Sequence, residues 1–321
     1  MTASESVAEF VTIGETMGLL SADEIGPLRS GHRMQLGVAG AESNVAIGVR
    51  RLGHTASWVG RVGADPIGNL VLRELRAEQI DVEHAIVDGF APNGLMLKAR
   101  RTMATSEVKY FRRDSAGSRL EPADVPRDLV AAARILHLTG ITPALSSTAC
   151  EAVLHAIDVA REAHVLVSFD VNYRAALWSQ ADASNALRKL VQHCDVLFAS
   201  ENEAALLVDA DGPSAAARKL AELGPRQTIV KRGELGYTAC IDGELLSAPA
   251  INVPVADPVG AGDAFVAGYL ASCLDGATAA ESLETANLTG AFVVAVPGDW
   301  EGAPTRAELM AFANRTDAVN R

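Results

Sequence analysis

A glycine-rich turn followed by an aspartate, at residues 257–265 (DPVGAGDAF), is the segment best suited to chemistry. Gly260, Ala261 and Gly262 precede an apolar helical run, and they predict a helix N-terminus whose amide N–H groups are not covered by large side chains. Such a terminus binds anions, and Asp263 would place a carboxylate beside it. A carboxylate next to bound phosphate can orient a hydroxyl and take its proton, which is the requirement of phosphoryl transfer to an alcohol. The alternative is that Asp263 only caps the helix.

The elements around this turn alternate between short apolar strands and helices. Strands are predicted at residues 9–14, 56–62, 135–138, 165–169, 196–198 and 228–230, and helices at 43–52, 66–78, 148–163 and 215–223. Apolar strands alternating with helices indicate a mainly parallel sheet that is buried on both faces. Open sheets of this kind bind ligands beyond the carboxyl ends of their strands, where Arg174 is expected.

Two segments interrupt the alternation. Residues 16–38 contain no clear helix, and residues 92–113 contain two β-like runs, GLMLKARR and EVKYFRR, joined by a polar turn. Both lie between elements of the main sheet, so we expect them to pair as a small antiparallel lid over its edge. No repeat or linker divides the chain. The sequence predicts one domain, residues 1–321, with this lid.

Composition and charge exclude several classes of function. The chain has 28 Lys and Arg against 40 Asp and Glu, a net charge of −12, which disfavours non-specific binding to nucleic acid or to anionic membranes. No apolar run approaches the roughly 18 residues of a membrane span, and residues 1–9 lack the pattern of a secretion signal. The cysteines are far apart, which indicates reduced thiols and no zinc site: Cys150, Cys194, Cys240 and Cys273. We expect a cytoplasmic protein.

Two motifs at opposite ends of the chain resemble the signatures of the ribokinase-type (PfkB) carbohydrate kinases. The C-terminal motif is DPVGAGDAF, and the N-terminal motif runs through residues 39–46, 51–53 and 59–63. Neither a P-loop nor a dinucleotide-binding glycine motif is present. The resemblance implies a three-layer α/β/α fold of the ribokinase type, with a mainly parallel central sheet and a small β-sheet lid. It also implies ATP and Mg²⁺ as cofactors.

Within the family, the chain is most similar to the kinases of 2-keto-3-deoxygluconate. The strings that carry this similarity are residues 40–44, 110–112, 115–118, 137–143, 170–174 and 177–178. An aldonic acid carries a carboxylate, and arginine binds carboxylates through two parallel hydrogen bonds. The implied reaction is phosphorylation of the terminal hydroxyl to give the 6-phosphate, with a neutral-sugar kinase, a 5-keto-2-deoxygluconate kinase or a non-catalytic sensor as alternatives.

The resemblance also assigns roles to individual residues. Asp263 would be the base, and a weak one because it lies in the first turn of a helix, while Gly260, Ala261 and Gly262 would form the anion hole. The residues that would bind the sugar acid, together with Asp263, are Gly40, Asn44, Tyr110, Arg112, Arg174 and Asp299. Those that would bind ATP, together with the anion hole, are Arg174, Ser200, Lys231, Gly233, Gly236 and Asn287. Glu203 would organise Mg²⁺ through water.

Some of these residues also allow a plainer interpretation. Arg112 belongs to a locally basic stretch, and such a stretch is usually a solvated face. Asp299 follows Pro-Gly and has the character of a turn residue. Ala39 and Met96 depart from the family pattern, at positions where glycine and tyrosine are common. The resemblance further implies a homo-oligomer that pairs through the lid sheet.

Overall fold

The structure is a computed structural model that describes residues 8–102 and 106–319. Most of the N-terminal segment considered for a secretion signal therefore lies outside the described residues, as do residues 103–105 of the predicted lid. No helix of the described ranges is long and apolar enough to cross a membrane.

Fourteen strands are present in the described part of the chain. In chain order they are β1 (Phe10–Ile13), β2 (Met17–Ile25), β3 (Met34–Ala39), β4 (Ala56–Val59), β5 (Arg61–Gly63), β6 (Ile86–Asp88), β7 (Leu95–Arg100), β8 (Ser106–Phe111), β9 (Ile135–Thr139), β10 (Leu166–Asp170), β11 (Val196–Ser200), β12 (Gln227–Lys231), β13 (Tyr237–Ile241) and β14 (Glu244–Ala248).

Ten α-helices connect the strands of the same described residues. They are α1 (Ala41–Arg51), α2 (Pro66–Ala77), α3 (Arg127–Ala132), α4 (Ser147–Glu162), α5 (Gln180–Val191), α6 (Glu201–Leu207), α7 (Pro213–Ala221), α8 (Ala261–Leu274), α9 (Ala279–Val294) and α10 (Arg306–Val319). Every helix predicted with bounds is found within two residues of its predicted ends, and the helix predicted to follow the glycine turn is α8.

The central sheet has eight strands in the order β14-β13-β12-β11-β10-β9-β1-β4. Six of these strands run parallel to one another: β12, β11, β10, β9, β1 and β4. Strands β13 and β14 extend the sheet beyond β12, each antiparallel to its neighbour. One apolar core packs helices α4 to α7 against one face, and a second core packs α1, α2, α8 and α9 against the other. The prediction of a three-layer α/β/α fold with a mainly parallel sheet is confirmed.

A smaller, separate sheet contains the two segments that interrupt the alternation. Its order is β3-β2-β7-β8, so each predicted segment contributes one antiparallel hairpin. The prediction that the whole sheet is antiparallel is wrong, because the two hairpins join through β2 and β7, which run parallel. The long crossover through α1 and α2 brings the second hairpin alongside the first in the same direction.

The predicted strand at residues 56–62 is also wrong in its extent. It divides at Gly60 into β4, in the central sheet, and β5, which pairs with β6 in a two-stranded sheet. A Cβ at Gly60 would lie 2.3 Å from the backbone oxygen of Gly14 and 2.5 Å from the Trp58 ring. The chain can therefore turn out of the central sheet only where no side chain is present.

Candidate functional site

A cavity of about 1220 Å³ opens between the carboxyl ends of the parallel strands and the four-stranded sheet. All sixteen residues singled out from the sequence line it: Gly40, Asn44, Tyr110, Arg112, Arg174, Ser200, Glu203, Lys231, Gly233, Gly236, Gly260, Ala261, Gly262, Asp263, Asn287 and Asp299. These positions span 260 residues of sequence, so the fold itself must assemble them. Open α/β sheets place ligands in this position.

The turn before α8 exposes backbone amides to this cavity. Gly260 is the N-cap of the helix and adopts a left-handed conformation, with φ of 78°. No side chain caps the helix, and the described residues provide no backbone acceptor for its first amides. The alternative that Asp263 caps the helix is therefore wrong, because Asp263 lies three residues further on. Free amides and the helix dipole make this turn a site for an anion.

Asp263, Asn44 and Asp299 form one hydrogen-bonded group beside the turn. The Asn44 side-chain amide donates to Asp263 Oδ2 at 2.8 Å and to Asp299 Oδ1 at 3.1 Å. Helix α1 carries Asn44 at a buried position, so one neutral amide holds two carboxylates from distant parts of the chain. Asp299 is 9% exposed, and this burial argues against a simple solvent-facing turn residue.

Burial changes the acidity of both carboxyl groups. It raises the pKa of Asp263 to about 7, and the nearby charge of Asp299 adds to that rise. Burial likewise raises the pKa of Asp299 to about 6, against the lowering effect of the Asn44 hydrogen bond. The expectation that Asp263 is a weak base is wrong, because desolvation outweighs the helix dipole here. A carboxylate with a pKa near neutral pH is suited to proton transfer.

Lys231 brings a positive charge close to the anion-binding turn. Its Nζ donates to Asp170 Oδ2 at 2.6 Å, and a Cβ built on Gly262 would lie 3.6 Å from that nitrogen. The carboxylates of Asp170 and Glu203 raise the pKa of Lys231 although burial opposes it. The ammonium group therefore stays charged beside a turn that can bind phosphate.

Arg112 is not part of a solvated face. It is 7% exposed, and its Nε and Nη2 donate to Glu15 Oε2 at 2.8 and 2.5 Å. The Ser115 hydroxyl donates to the other oxygen of Glu15 at 2.5 Å. Guanidinium has five N–H donors, so this pairing leaves Arg112 able to bind a second acceptor in the cavity.

Ser200 and Glu203 hold the start of helix α6. Glu203 Oε2 accepts from the Ser200 amide at 2.7 Å, and Oε1 accepts from the Tyr173 amide at 2.8 Å. Both carboxylate oxygens thus serve the backbone, which limits Glu203 to an indirect contact with a cation. Within residues 8–102 and 106–319, no group of three or more His, Cys, Asp or Glu side chains could hold a metal.

The remaining predicted residues contribute mainly backbone or short polar contacts. Gly40 is the N-cap of α1, and Tyr110 lies 5.8 Å from the Arg112 guanidinium, measured to the ring centroid. Arg174 is half-buried after β10 and donates to the Tyr173 carbonyl at 3.2 Å. Gly233 and Gly236 bound the 3₁₀ turn between β12 and β13, and the Asn287 amide donates to the Pro249 carbonyl at 2.9 Å.

Sequence reasoning missed three charged residues at this site. Lys98 lines the cavity from strand β7, Glu15 binds Arg112, and Asp170 binds Lys231. Two signals could have found them. Glu15 and Asp170 lie at or just beyond the carboxyl ends of parallel strands. Lys98 follows the cavity-lining Met96 by two residues along β7, so both side chains lie on the same face of the sheet. Ala39 and Met96, which depart from the family pattern, line the same cavity.

The chain is similar over almost its whole length to known kinases. It is 36% identical over 316 residues to a 2-dehydro-3-deoxygluconokinase of Bacillus subtilis, which covers 97% of each chain. It is 34% identical to a 2-dehydro-3-deoxygalactonokinase of Haloferax volcanii, over 90% of each chain. A candidate ribokinase II of Escherichia coli, solved with ATP and Mg²⁺, superposes with a TM-score of 0.88 at 25% identity, covering 96% of this chain and 99% of that one.

A family model adds to these similarities. The model described as pfkB family carbohydrate kinase matches residues 7–306, which include both glycine motifs and every cavity-lining residue named above. The chain belongs to the pfkB family of carbohydrate kinases.

Proposed function

We propose that this protein transfers the γ-phosphoryl group of ATP to the terminal hydroxyl of 2-keto-3-deoxygluconate, giving the 6-phosphate. The observation that carries the proposal is the placement of Asp263 beside the free amides of residues 260–262, in a cavity that also contains Arg112 and Arg174. Similarity to kinases of two 2-keto-3-deoxy sugar acids supports the same substrate class.

The nucleotide would occupy the part of the cavity formed by the turn before α8 and the loop after β12. The amides of Gly260, Ala261 and Gly262 would bind phosphate oxygens, and Lys231 would add positive charge to them. Gly233, Gly236 and Asn287 would lie along the nucleotide, with Ser200 and Arg174 near its phosphates. An E. coli relative with ATP and Mg²⁺ bound supports this use of the fold.

The sugar acid would bind beneath the four-stranded sheet. Gly40 and Asn44 at the start of α1, Tyr110 on β8, and Asp299 would contact its hydroxyl groups. Arg112 and Arg174 would bind its carboxylate, because a guanidinium pairs with a carboxylate through two parallel hydrogen bonds. The protein carries a net charge of −12, so an anionic substrate needs this local positive charge.

Asp263 would act as general base on the sugar hydroxyl. The Asn44 amide fixes one of its carboxylate oxygens, which leaves the other for the substrate proton. Its pKa of about 7 means that the ionised form is available at neutral pH and binds a proton readily. The free amides of the anion hole would stabilise charge on the transferring phosphoryl group as the new O–P bond forms and the bond to the ADP oxygen breaks.

Mg²⁺ would enter with the triphosphate. One or two carboxylates with water and phosphate oxygens form a usual Mg²⁺ environment. Glu203 lines the cavity, and Asp170 Oδ1 is buried without a hydrogen-bond partner among the described residues, so these residues fit an ion that is held mainly by ATP. The bound ion would neutralise phosphate charge.

We further propose that the four-stranded sheet serves as a lid of a single domain. Closing over the sugar would exclude water and suppress ATP hydrolysis. A second copy of the chain would cover the outer face of this sheet. The protein would act in the cytoplasm, because its proposed reaction consumes ATP.

A coupled assay of ADP release tests the proposed substrate. Wild-type protein with ATP and Mg²⁺ should turn over 2-keto-3-deoxygluconate at least about 100-fold more efficiently than fructose or ribose, because two arginines are matched to a carboxylate. Arg112→Gln and Arg174→Gln should reduce kcat/KM for the acid far more than for a neutral sugar. Equal losses on both substrates would reject carboxylate recognition.

A non-catalytic sensor is the alternative from a different class. A sensor has no need of a base, yet Asp263 is retained with its amide partner and a pKa suited to proton transfer. Binding of ATP and sugar acid without any ADP release would favour the sensor.

A further inference from the structure

One partly buried ion pair joins the four-stranded sheet to the anion-binding turn. Lys98 Nζ on β7 donates to Asp257 Oδ2 at 2.9 Å, and Lys98 is only 7% exposed. Among the described residues, it is the only ion pair between a strand of this sheet and the segment that leads into α8. The two residues are 159 positions apart in sequence.

Asp257 transmits this contact to the turn itself. Its other oxygen, Oδ1, accepts from the Val259 amide at 3.1 Å, immediately before Gly260. One carboxylate therefore binds both the sheet and the backbone of the turn. Any movement of Lys98 away from the cavity breaks half of that arrangement.

The register of the four-stranded sheet places Lys98 on the face that lines the cavity. Lys98 pairs with Val108 and Met96 pairs with Tyr110, and all four side chains line the cavity. On the opposite face of the sheet, Lys109 of β8 pairs with Leu97 of β7 and is exposed. One sheet thus presents a lysine on each face, with Lys98 buried against an acidic partner and Lys109 in solvent.

We propose that Lys98 is a positioning residue, which holds the anion-binding turn in its binding geometry through Asp257 and makes phosphoryl transfer depend on the sheet lying over the cavity. This inference rests on the proposed function of the turn as a phosphate site. Without Lys98, the Asp257 carboxylate loses its charged partner and can turn toward solvent, because its side chain is 22% exposed, and the turn that it holds through Val259 would then change its geometry.

If Lys98 positions the turn, its loss should lower kcat much more than it changes KM for the sugar acid. A displaced turn misaligns the phosphoryl group in the transition state, and a misplacement of about 1 Å can cost about 100-fold in rate. We expect Lys98→Met to lower kcat at least about tenfold while KM for the sugar acid changes less than threefold. Asp257→Asn should give the same split. Lys98→Arg keeps the charge and should recover most of the rate.

The pair also lies beside Asp299, which provides a second readout. Asp299 faces Asn44, Asp263, Glu301, Lys98 and Asp257; Lys98 lowers its pKa and Asp257 raises it. The pKa of Asp299, followed by the NMR signal of its carboxyl carbon, should therefore move up in Lys98→Met and down in Asp257→Asn. Shifts in the same direction in both variants, or no shift in either, would show that the pair does not lie against Asp299.

The experiment combines steady-state kinetics with hydrogen–deuterium exchange. The double variant Lys98→Met/Asp257→Asn should be no more than about twofold slower than the worse single variant, because both changes remove one interaction. The amides of Ala256, Asp257 and Val259, which donate to acceptors in the structure, should exchange faster in Lys98→Met without any ligand. Lys189→Met removes the same charge from an exposed position on α5, away from the sheet and the turn, and should match wild type in both measurements.

Three results would overturn the inference. Lys98→Met could keep wild-type kcat and wild-type exchange in the turn. It could raise KM for the sugar acid while Asp257→Asn does not, which would make Lys98 a substrate ligand. The two single effects could multiply in the double variant. If wild type phosphorylated no sugar acid, the proposed function would fail, whereas the exchange comparison would still decide the coupling of sheet and turn.

Discussion

Two carboxyl groups share a single amide donor at the centre of the site. Asp263 and Asp299 both accept from Asn44, and burial raises the pKa of each. Their proximity couples their titration, since the charge of Asp299 disfavours ionisation of Asp263. Activity that needs ionised Asp263 must therefore increase with pH across the neutral range.

The pH profile provides the first test at the residue scale. We expect kcat/KM to increase with pH along a limb centred near pH 7, and Asp299→Asn to move that limb to lower pH, because the repelling charge is gone. Steady-state rates between pH 5 and 9 measure it. Glu151→Gln, on the exposed face of α4, removes one charge elsewhere and should leave the limb in place. A limb that does not move in Asp299→Asn contradicts the coupling.

The same pKa shifts predict a stability effect. The folded protein binds the Asp299 proton more tightly than the unfolded chain, so the free energy of unfolding falls as pH rises from about 4 through 6. Asp299→Asn removes this penalty and should be more stable than wild type at pH 8 by on the order of 2 kcal/mol. At pH 4 the two should be nearly equal. Urea unfolding at both pH values measures the difference, and equal differences would contradict it.

Sequence alone located these residues but not their acidity. The motifs placed Asn44, Asp263 and Asp299 correctly in one cavity. The shared amide and the degree of burial arise from contacts between residues 219 and 255 positions apart, which no local pattern encodes. The helix dipole, a local effect, therefore predicted the wrong direction of the Asp263 pKa shift.

At the scale of elements, the start of α8 depends on Gly260. Its left-handed φ would strain the backbone of any residue that has a side chain. A Cβ there would also lie 2.0 Å from the Asp299 carbonyl oxygen. The turn thus brings Asp299 and the anion hole together through backbone contact. This close approach holds Asp299 beside the anion-binding turn.

A pair of glycine substitutions separates these two effects. Gly276 has a similar φ of 80°, but a Cβ there would meet no atom within 4 Å. Gly276→Ala should cost about 1 to 2 kcal/mol of stability through backbone strain alone and leave kcat within twofold of wild type. Gly260→Ala should also lower kcat more than about tenfold, because the turn must move away from Asp299. Thermal unfolding and turnover measure both, and equal kcat values would contradict the argument.

Helix and strand positions were predictable because the apolar periodicity is strong. The prediction did not extend to places where a tertiary contact decides the outcome. Gly60 ends β4 because the Gly14 carbonyl and Trp58 occupy the space of a side chain, and β2 pairs in parallel with β7 because a crossover joins them.

At the scale of the whole molecule, the outer face of the four-stranded sheet carries exposed apolar side chains. Leu36 is 53% exposed and Phe111 is 58% exposed, and both lie on the face opposite the cavity. Exposed apolar side chains on a sheet with free edges favour association with another chain. This face suits pairing with a second copy across a two-fold axis.

Light scattering during size exclusion tests the pairing. Wild type should be a dimer at micromolar concentration, and the double variant Leu36→Glu/Phe111→Glu should be a monomer, because buried like charges oppose association. Phe90→Glu changes a side chain that is 93% exposed elsewhere and should stay dimeric. A monomeric wild type would contradict the proposed assembly.

The most direct test of the account compares wild type with Asp263→Asn in a single-turnover transfer of labelled γ-phosphate to 2-keto-3-deoxygluconate. Asparagine keeps the shape of the side chain but cannot accept the hydroxyl proton. We expect phosphoryl transfer to fall at least about 1000-fold while ATP affinity stays within threefold of wild type. Transfer within tenfold of the wild-type rate would show that the carboxylate beside the anion-binding turn is not the base.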